Sequence, residues 1–168
     1  GHGATCLYAY RYALNHGADY IFQTDSDGQT CPDEFWKLWE QRERYALLIG
    51  SRNHRKDGLS RMIVSKILRI IIMMIFKAWI IDANTPFRLM RKDFLRSVLQ
   101  VIPDNFFLSN VVLTVIAVKQ KHKIFWTPIT FNPRQKGASF VNWKNIFKIG
   151  IRAVNDFRLI NKKIRKQV

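Results

Sequence analysis

The sequence predicts an α/β fold, and three observations carry that prediction. A helical stretch turns through Gly17-Ala18-Asp19 into a short β-branched and aromatic run, which is a helix-turn-strand unit. A second such run, over residues 45–50, also ends on polar groups, Ser51 and Arg52. Helical and strand-like segments then continue to alternate down the chain.

Taken in order, residues 4–16 form the first helix, with Ala4, Leu7, Ala9, Tyr10, Ala13 and Leu14 apolar and Gly17 as its C-cap. Residues 20–25 form the first strand. Thr30-Cys31-Pro32-Asp33-Glu34 starts a helix, with proline in the first turn and acids at the positive end of the dipole. Phe35, Leu38 and Trp39 supply its buried stripe. The second strand follows, then a polar, basic loop over 53–61.

Residues 62–81 are almost entirely apolar, interrupted by Lys66, Arg69 and Lys77. Three charges are costly in a membrane span. Two readings remain open: an amphipathic helix in a membrane interface, or a core helix with three snorkelling cations. Asp82-Ala83-Asn84-Thr85-Pro86 is turn chemistry, and Phe87-Arg88-Leu89-Met90 is a short apolar segment with one buried or ligand-facing arginine. Residues 91–100 and 109–121 read as helices, 123–131 as a strand broken by Pro128, and 134–139 as a basic loop. From 142 to the end the pattern is helical and strongly basic, with Asp156 its single acid.

A chain of 168 residues is one domain's worth, and 48% hydrophobic content excludes disorder. The net charge of +16 calls for an anionic partner or surface. Nucleic acid is disfavoured, because the aromatics are not interleaved with the basic residues as a stacking platform requires. Cys6 and Cys31 make no disulfide framework or metal spacing and read as reduced thiols of a cytoplasmic protein. His2, His16, His54 and His122 have no ligand-like spacing. The chain opens on Gly1-His2-Gly3-Ala4, without an initiator Met or a leader-like apolar segment, and is expected to be a fragment lacking an upstream portion.

The stretch that organises the chemistry is Thr24-Asp25-Ser26-Asp27-Gly28-Gln29. Alternation along a strand would put Asp25 and Asp27 on one face, with Gly28 turning the chain behind them. Two carboxylates and the Gln29 amide oxygen make a hard, oxygen-only site for Mg2+ or Mn2+. Asp, Ser and Gly are equally the residues of an ordinary surface turn. Ligands of open α/β sheets bind at the carboxyl ends of strands, so Asp25, Asp27 and Arg52 are expected as neighbours.

The order of motifs adds a resemblance. Strand-DSDGQ, strand-Gly50-Ser51-Arg52, Arg61-x-x-x-Ser65, Asp82-x-Asn-x-Pro-Phe-Arg88, Pro128-Ile129-x-Phe131 and Arg134-x-x-Gly137-x-Ser139 together resemble the inverting family-2 glycosyltransferases. The branch most similar is that of the dolichyl- or polyprenyl-phosphate mannose synthases. The resemblance implies a Rossmann-like GT-A fold, incomplete at its N-terminus, with a C-terminal basic amphipathic helix. Residues 1–141 would be the C-terminal part of the catalytic domain, and 142–168 a membrane-proximal helix.

It implies further that Asp25, Asp27 and Gln29 hold a divalent cation bridging the diphosphate of a nucleotide-sugar donor. Arg52 would face that diphosphate, Arg61 and Ser65 would meet phosphates of donor or acceptor, and Arg134 and Ser139 would close over a polyprenyl phosphate. Arg88 matches a family arginine of substrate-binding type. Asp27, Arg52 and Arg134 would carry catalysis. The implied location is the cytoplasmic face of a membrane, against an anionic surface, held peripherally or through segments missing from the chain.

Two departures stand out. Where these synthases carry an acid after a Phe-rich segment, this chain has Phe107-Leu108-Ser109-Asn110, and Asp-x-Thr-Ser-Gly-Phe-Arg has become Asp82-Ala83-Asn84-Thr85-Pro86-Phe87-Arg88. A sugar hydroxyl needs a general base. A phosphate, with a second pKa of about 6, is already nucleophilic at neutral pH. The missing acid favours a polyprenyl-phosphate acceptor. The alternative is a family-2 enzyme acting on a saccharide in cell-envelope synthesis, with Asp82 as base.

Overall fold

The computed structural model describes residues 1–52, 59–132 and 143–165. Helix α1 (His2–Asn15) turns Leu7, Tyr10 and Leu14 inward at helical spacing. It stops at Gly17, whose φ of 83° is left-handed. The Gly17 N–H donates to Leu14 O (3.3 Å) and the Ala18 N–H to Ala13 O (3.1 Å), a Schellman closure. That closure feeds β1 (Tyr20–Gln23). A 3-10 turn at Pro32–Glu34 runs into α2 (Phe35–Trp39), and then come β2 (Leu47–Arg52) and α3 (Leu59–Phe76). The chain finishes with β3 (Arg88–Arg91), α4 (Lys92–Leu99), α5 (Ser109–Lys119), β4 (Ile124–Ile129) and α6 (Trp143–Arg165).

The four strands form one mixed sheet in the order β1-β3-β2-β4. Strand β3 is antiparallel to both neighbours, with Gln23 and Ile49 each paired to Arg88, while β2 and β4 are parallel. Strands β1, β2 and β4 therefore run the same way. Their carboxyl ends meet the amino end of β3 along a single edge.

Side-chain alternation sorts residues to the two faces. Leu47, Ile49 and Met90 join the larger core with α1, α3, α4, α5 and α6, whereas Leu48, Leu89 and Phe87 face Leu38 of α2. Helix α5 lies at the centre, buried from Ser109 to Ala117. Gly3 lets α1 settle against the preceding segment: a Cβ there would stand 2.4 Å from the carbonyl oxygens of both Phe106 and Phe107.

Several boundaries differ from expectation, each for a physical reason. The segment around Arg88, expected only as a short apolar stretch, is a strand between two others. Its four residues are too short to show a period. Strand β4 passes through Pro128 unbroken because it lies at the sheet edge, where a missing N–H is tolerated. Helix α3 begins inside the expected loop and ends at Phe76, where Lys77 takes a left-handed φ of 51°. Residues 77–81 fold back beside it: Arg69 donates to Ile81 O at 2.6 Å and stacks over Trp79. The expected boundary at residues 141/142 lies outside the described residues. Helix α6 buries Ala153, Phe157, Ile160 and Ile164 in the main core, with Phe157 against Phe76 and Phe106.

Candidate functional site

Strand β1 ends at Gln23, so Asp25 and Asp27 lie beyond it in a turn, and strand alternation does not govern them. Their common orientation comes from the turn. Gly28 is left-handed at φ 72°, and the Gln29 N–H donates to Asp27 Oδ1 at 3.2 Å, an Asx-type closure. Both carboxylates are half-buried and line one open groove of about 480 Å3 with Thr24, Ser26 and the His2, Thr5, Cys6 and Ala9 face of α1.

This turn is anchored to the exit of β4. Thr30 bridges Phe131, the Asn132 N–H donates to Gln29 O at 2.7 Å, and Gln29 Nε2 donates to Asn132 O at 2.9 Å. Gln29 is thus buried with its amide nitrogen committed, so Oε1 is the atom it can offer a cation. Among the described residues no three His, Cys, Asp or Glu side chains form a metal cage. Two carboxylates and an amide oxygen suit a cation that brings other ligands with it.

Arg52 belongs to β2 itself, paired with Ile129 of β4. Its Nε and Nη2 each donate to the Asp82 carboxylate at 2.7 Å, and its backbone N–H donates to Asp82 Oδ2 at 3.3 Å. The two side chains are 9% and 13% exposed, and the guanidinium lies over the Phe131 ring at 5.2 Å. Through Phe131 and its bridge to Thr30, Arg52 is tied to the Asp25–Gln29 turn. Asp82 takes the Nε and Nη2 edge of the fork, and Nη1 lies outside this pair.

Arg88 is not where a substrate-binding arginine was expected. It is fully buried, and its guanidinium donates to Thr85 O, Ala83 O, Asn110 O and Thr114 Oγ1. Its grip is on the 83–85 turn rather than on the groove. Burial lowers its pKa from the usual arginine value, opposed by Tyr10 and Asp82.

Two more groups belong to this region, Cys6 in the groove lining and the buried Tyr10. Burial drives the Tyr10 phenol far above its ordinary range, and its hydroxyl donates to Gln23 Oε1. Burial, and secondly Asp25, raises the Cys6 thiol, which keeps it protonated beside His2. Of the remaining expected residues, Arg61 falls in the first turn of α3, and Ser65 is half-buried one turn later. Arg134 and Ser139 lie outside the described residues.

No family model matches the sequence. Two curated relatives do. The chain is 26% identical over 153 residues to a polyprenol monophosphomannose synthase of Mycolicibacterium smegmatis, covering 87% of this chain and 58% of the relative. It is 26% identical over 145 residues to an undecaprenyl-phosphate mannosyltransferase of Micrococcus luteus, covering 83% of this chain and 60% of the relative. The expected likeness to polyprenyl-phosphate mannose synthases is borne out. The chain spans about three fifths of the length of these relatives.

The Arg52–Asp82 pair gives the site a measurable signature. Asp82→Ala would leave a desolvated guanidinium without its carboxylate, at a cost of about 3 kcal/mol of unfolding free energy. Urea unfolding reads this directly. A loss below about 0.5 kcal/mol, the level of an exposed pair, would contradict the geometry.

Proposed function

We propose that this protein acts as a GT-A-like glycosyltransferase that moves a mannosyl group from a nucleotide-sugar donor to a polyprenyl phosphate at a membrane. The observation that carries the reading is that the Asp25–Gln29 turn after β1 and Arg52 at the end of β2 lie at the same end of the sheet and are linked through Phe131, in a chain whose relatives are named for this transfer. The mixed sheet supports the GT-A assignment.

In the proposed reaction an acceptor phosphate oxygen attacks the anomeric carbon. The bond from that carbon to the donor diphosphate breaks on the opposite face, so the configuration inverts. Asp25, Asp27 and Gln29 Oε1 would hold Mg2+ or Mn2+, which when bound supplies positive charge to the leaving diphosphate. Arg52 adds a fixed guanidinium to the same end, held by Asp82 and so needing no reorganisation. Arg61, Ser65, Arg134 and Ser139 keep the phosphate-gathering roles that the motif resemblance implies.

The acceptor assignment rests on Asp82. A base for a saccharide hydroxyl must turn a lone pair toward it, and a carboxylate has only about four acceptor sites. This carboxylate already accepts three hydrogen bonds from Arg52. A phosphate dianion needs no base, which favours the lipid phosphate over the saccharide alternative.

Membrane contact has its own support. Ile63, Ile67, Ile70 and Met74 follow i, i+4, i+7, i+11 spacing on α3 and are all exposed, continued by Trp79 and Ile81. Lys66, Arg69 and Lys77 punctuate this patch, and residues 59–81 contain no acid. Among the described residues no helix is long and apolar enough to cross a membrane. The patch fits interfacial adsorption to an anionic, cytoplasmic leaflet, aided by about 1 kcal/mol per nearby cation.

Incubation with radiolabelled nucleotide-linked mannose and Mg2+ tests the reaction. Transfer is expected to undecaprenyl phosphate and not to oligosaccharides. Transfer to oligosaccharide alone would overturn the acceptor reading. Liposome flotation tests the location. Binding to phosphatidylglycerol vesicles at low salt, release at high salt, and reduced binding of Ile67→Asp are expected. A protein that stays at the bottom of the gradient at low salt removes the membrane claim.

A further inference from the structure

We infer that Arg88, which has no access to the groove, is the positioning residue of the Arg52 seat and supplies the buried charge that makes this edge receptive to a diphosphate. This rests on the proposed reading that the donor diphosphate meets the Asp25–Arg52 edge.

Two features of Arg88 support the assignment. Its five hydrogen bonds converge on one short turn and the helix behind it. Nε and Nη2 donate to Thr85 O at 3.1 and 2.6 Å, Nη2 also to Ala83 O at 3.3 Å, and Nη1 to Asn110 O at 3.0 Å and Thr114 Oγ1 at 3.4 Å. Thr85 Oγ1 in turn donates to Gly50 O of β2 at 2.7 Å, and Thr114 Oγ1 contacts Ala83 O at 3.3 Å. Asp82 is the residue immediately before this turn. The carboxylate that orients Arg52 is thus fixed, through its own backbone, by a second arginine that never touches it.

The second feature is charge. All four acceptors of Arg88 are neutral carbonyl or hydroxyl oxygens. The Asp82 carboxylate hydrogen-bonds to Arg52 and offsets part of the Arg88 charge from a distance. Two guanidiniums face one carboxylate here, so once a divalent cation balances the Asp25 and Asp27 carboxylates of the turn this edge keeps one positive charge. Arginine cannot relieve that charge by deprotonation at neutral pH. A field from a buried cation is weakly screened, so it acts on whatever occupies the groove. An anion with several charged oxygens gains most from such a seat, and Arg52, presented side-on with Nη1 outside the Asp82 pair, would receive it.

Asn110 offers a way to change the charge without dismantling the grip. Its main-chain oxygen already accepts from Arg88, while its side-chain Oδ1 is buried with no hydrogen-bond partner in the described structure. Asn110→Asp places a carboxylate in the same volume and compensates Arg88 in place. Isothermal titration of the protein with inorganic diphosphate in excess Mg2+ reads the effect, alongside thermal unfolding. The expectation is an affinity about tenfold lower for Asn110→Asp, with stability equal to or above that of the unchanged protein, and near-unchanged affinity for Asn110→Ala.

A purely structural Arg88 predicts the opposite pattern: stability moves and diphosphate affinity does not. Equal affinity in Asn110→Asp and the unchanged protein would overturn the inference while leaving the proposed function standing. So would equal losses in the Asp and Ala variants. Absence of diphosphate binding by the unchanged protein would overturn both. If Asn110→Asp does not fold, Thr114→Asp brings a carboxylate to the other Nη1 acceptor and must weaken binding in the same direction.

Discussion

The bidentate pair between Arg52 and Asp82 is the constraint on which the site depends. It joins the carboxyl end of β2 to a turn thirty residues later, and both groups are nearly withdrawn from water. Such a pair is weak evidence for stability, because desolvation consumes most of the attraction. Its value is geometric. A guanidinium held on one edge by a carboxylate cannot wander, and the Phe131 ring covers it. A rotamer-rich side chain becomes a preorganised one, and preorganised charge is what a leaving diphosphate requires.

The neighbouring layers follow from this edge. The Asp25–Gln29 turn, fastened to Asn132 and Phe131, brings its carboxylates to the same side of the sheet as Arg52. Behind them Arg88 sits in the body of the domain and grips the Asp82 turn from below. The outer surface of α3 answers a different demand. Its apolar stripe has no partner in the described structure, and its cations lie among apolar neighbours rather than acids. On the proposed reading, one domain would offer an edge for phosphate chemistry and a helical face suited to a bilayer interface.

Much of this was legible in the sequence. Gly17 marked the end of α1 because only a left-handed residue closes that motif, and Arg52 was expected at a strand end from the Gly-Ser-Arg run. The DSDGQ turn was visible too, but the reason for its geometry was not. Its carboxylates are aligned by an Asx-type closure and a cross-link to Asn132, a partner 103 residues away. Arg88 was left open between a buried and a ligand-facing place for a similar reason. An isolated arginine between Phe87 and Leu89 has the same letters whether it faces a ligand or carbonyls, and only the packing of α5 beside it decides. Asp82 was offered as a base only in the alternative saccharide reading, and its pairing with Arg52 is a long-range contact that no local pattern encodes. The basic helix at the end of the chain was legible as a helix, yet its apolar side belongs to the common core, which periodicity alone does not reveal.

The central claim is that Arg52, oriented by Asp82, receives the diphosphate of the donor. The most direct measurement is the side-chain Nε–H spectrum of the 15N-labelled protein during titration with Mg2+ and inorganic diphosphate. The account predicts a saturable shift of the Arg52 Nε signal, with the solvent-exposed arginines Arg152 and Arg158 unmoved. Shifts confined to those exposed arginines, with Arg52 unchanged at saturation, would contradict it.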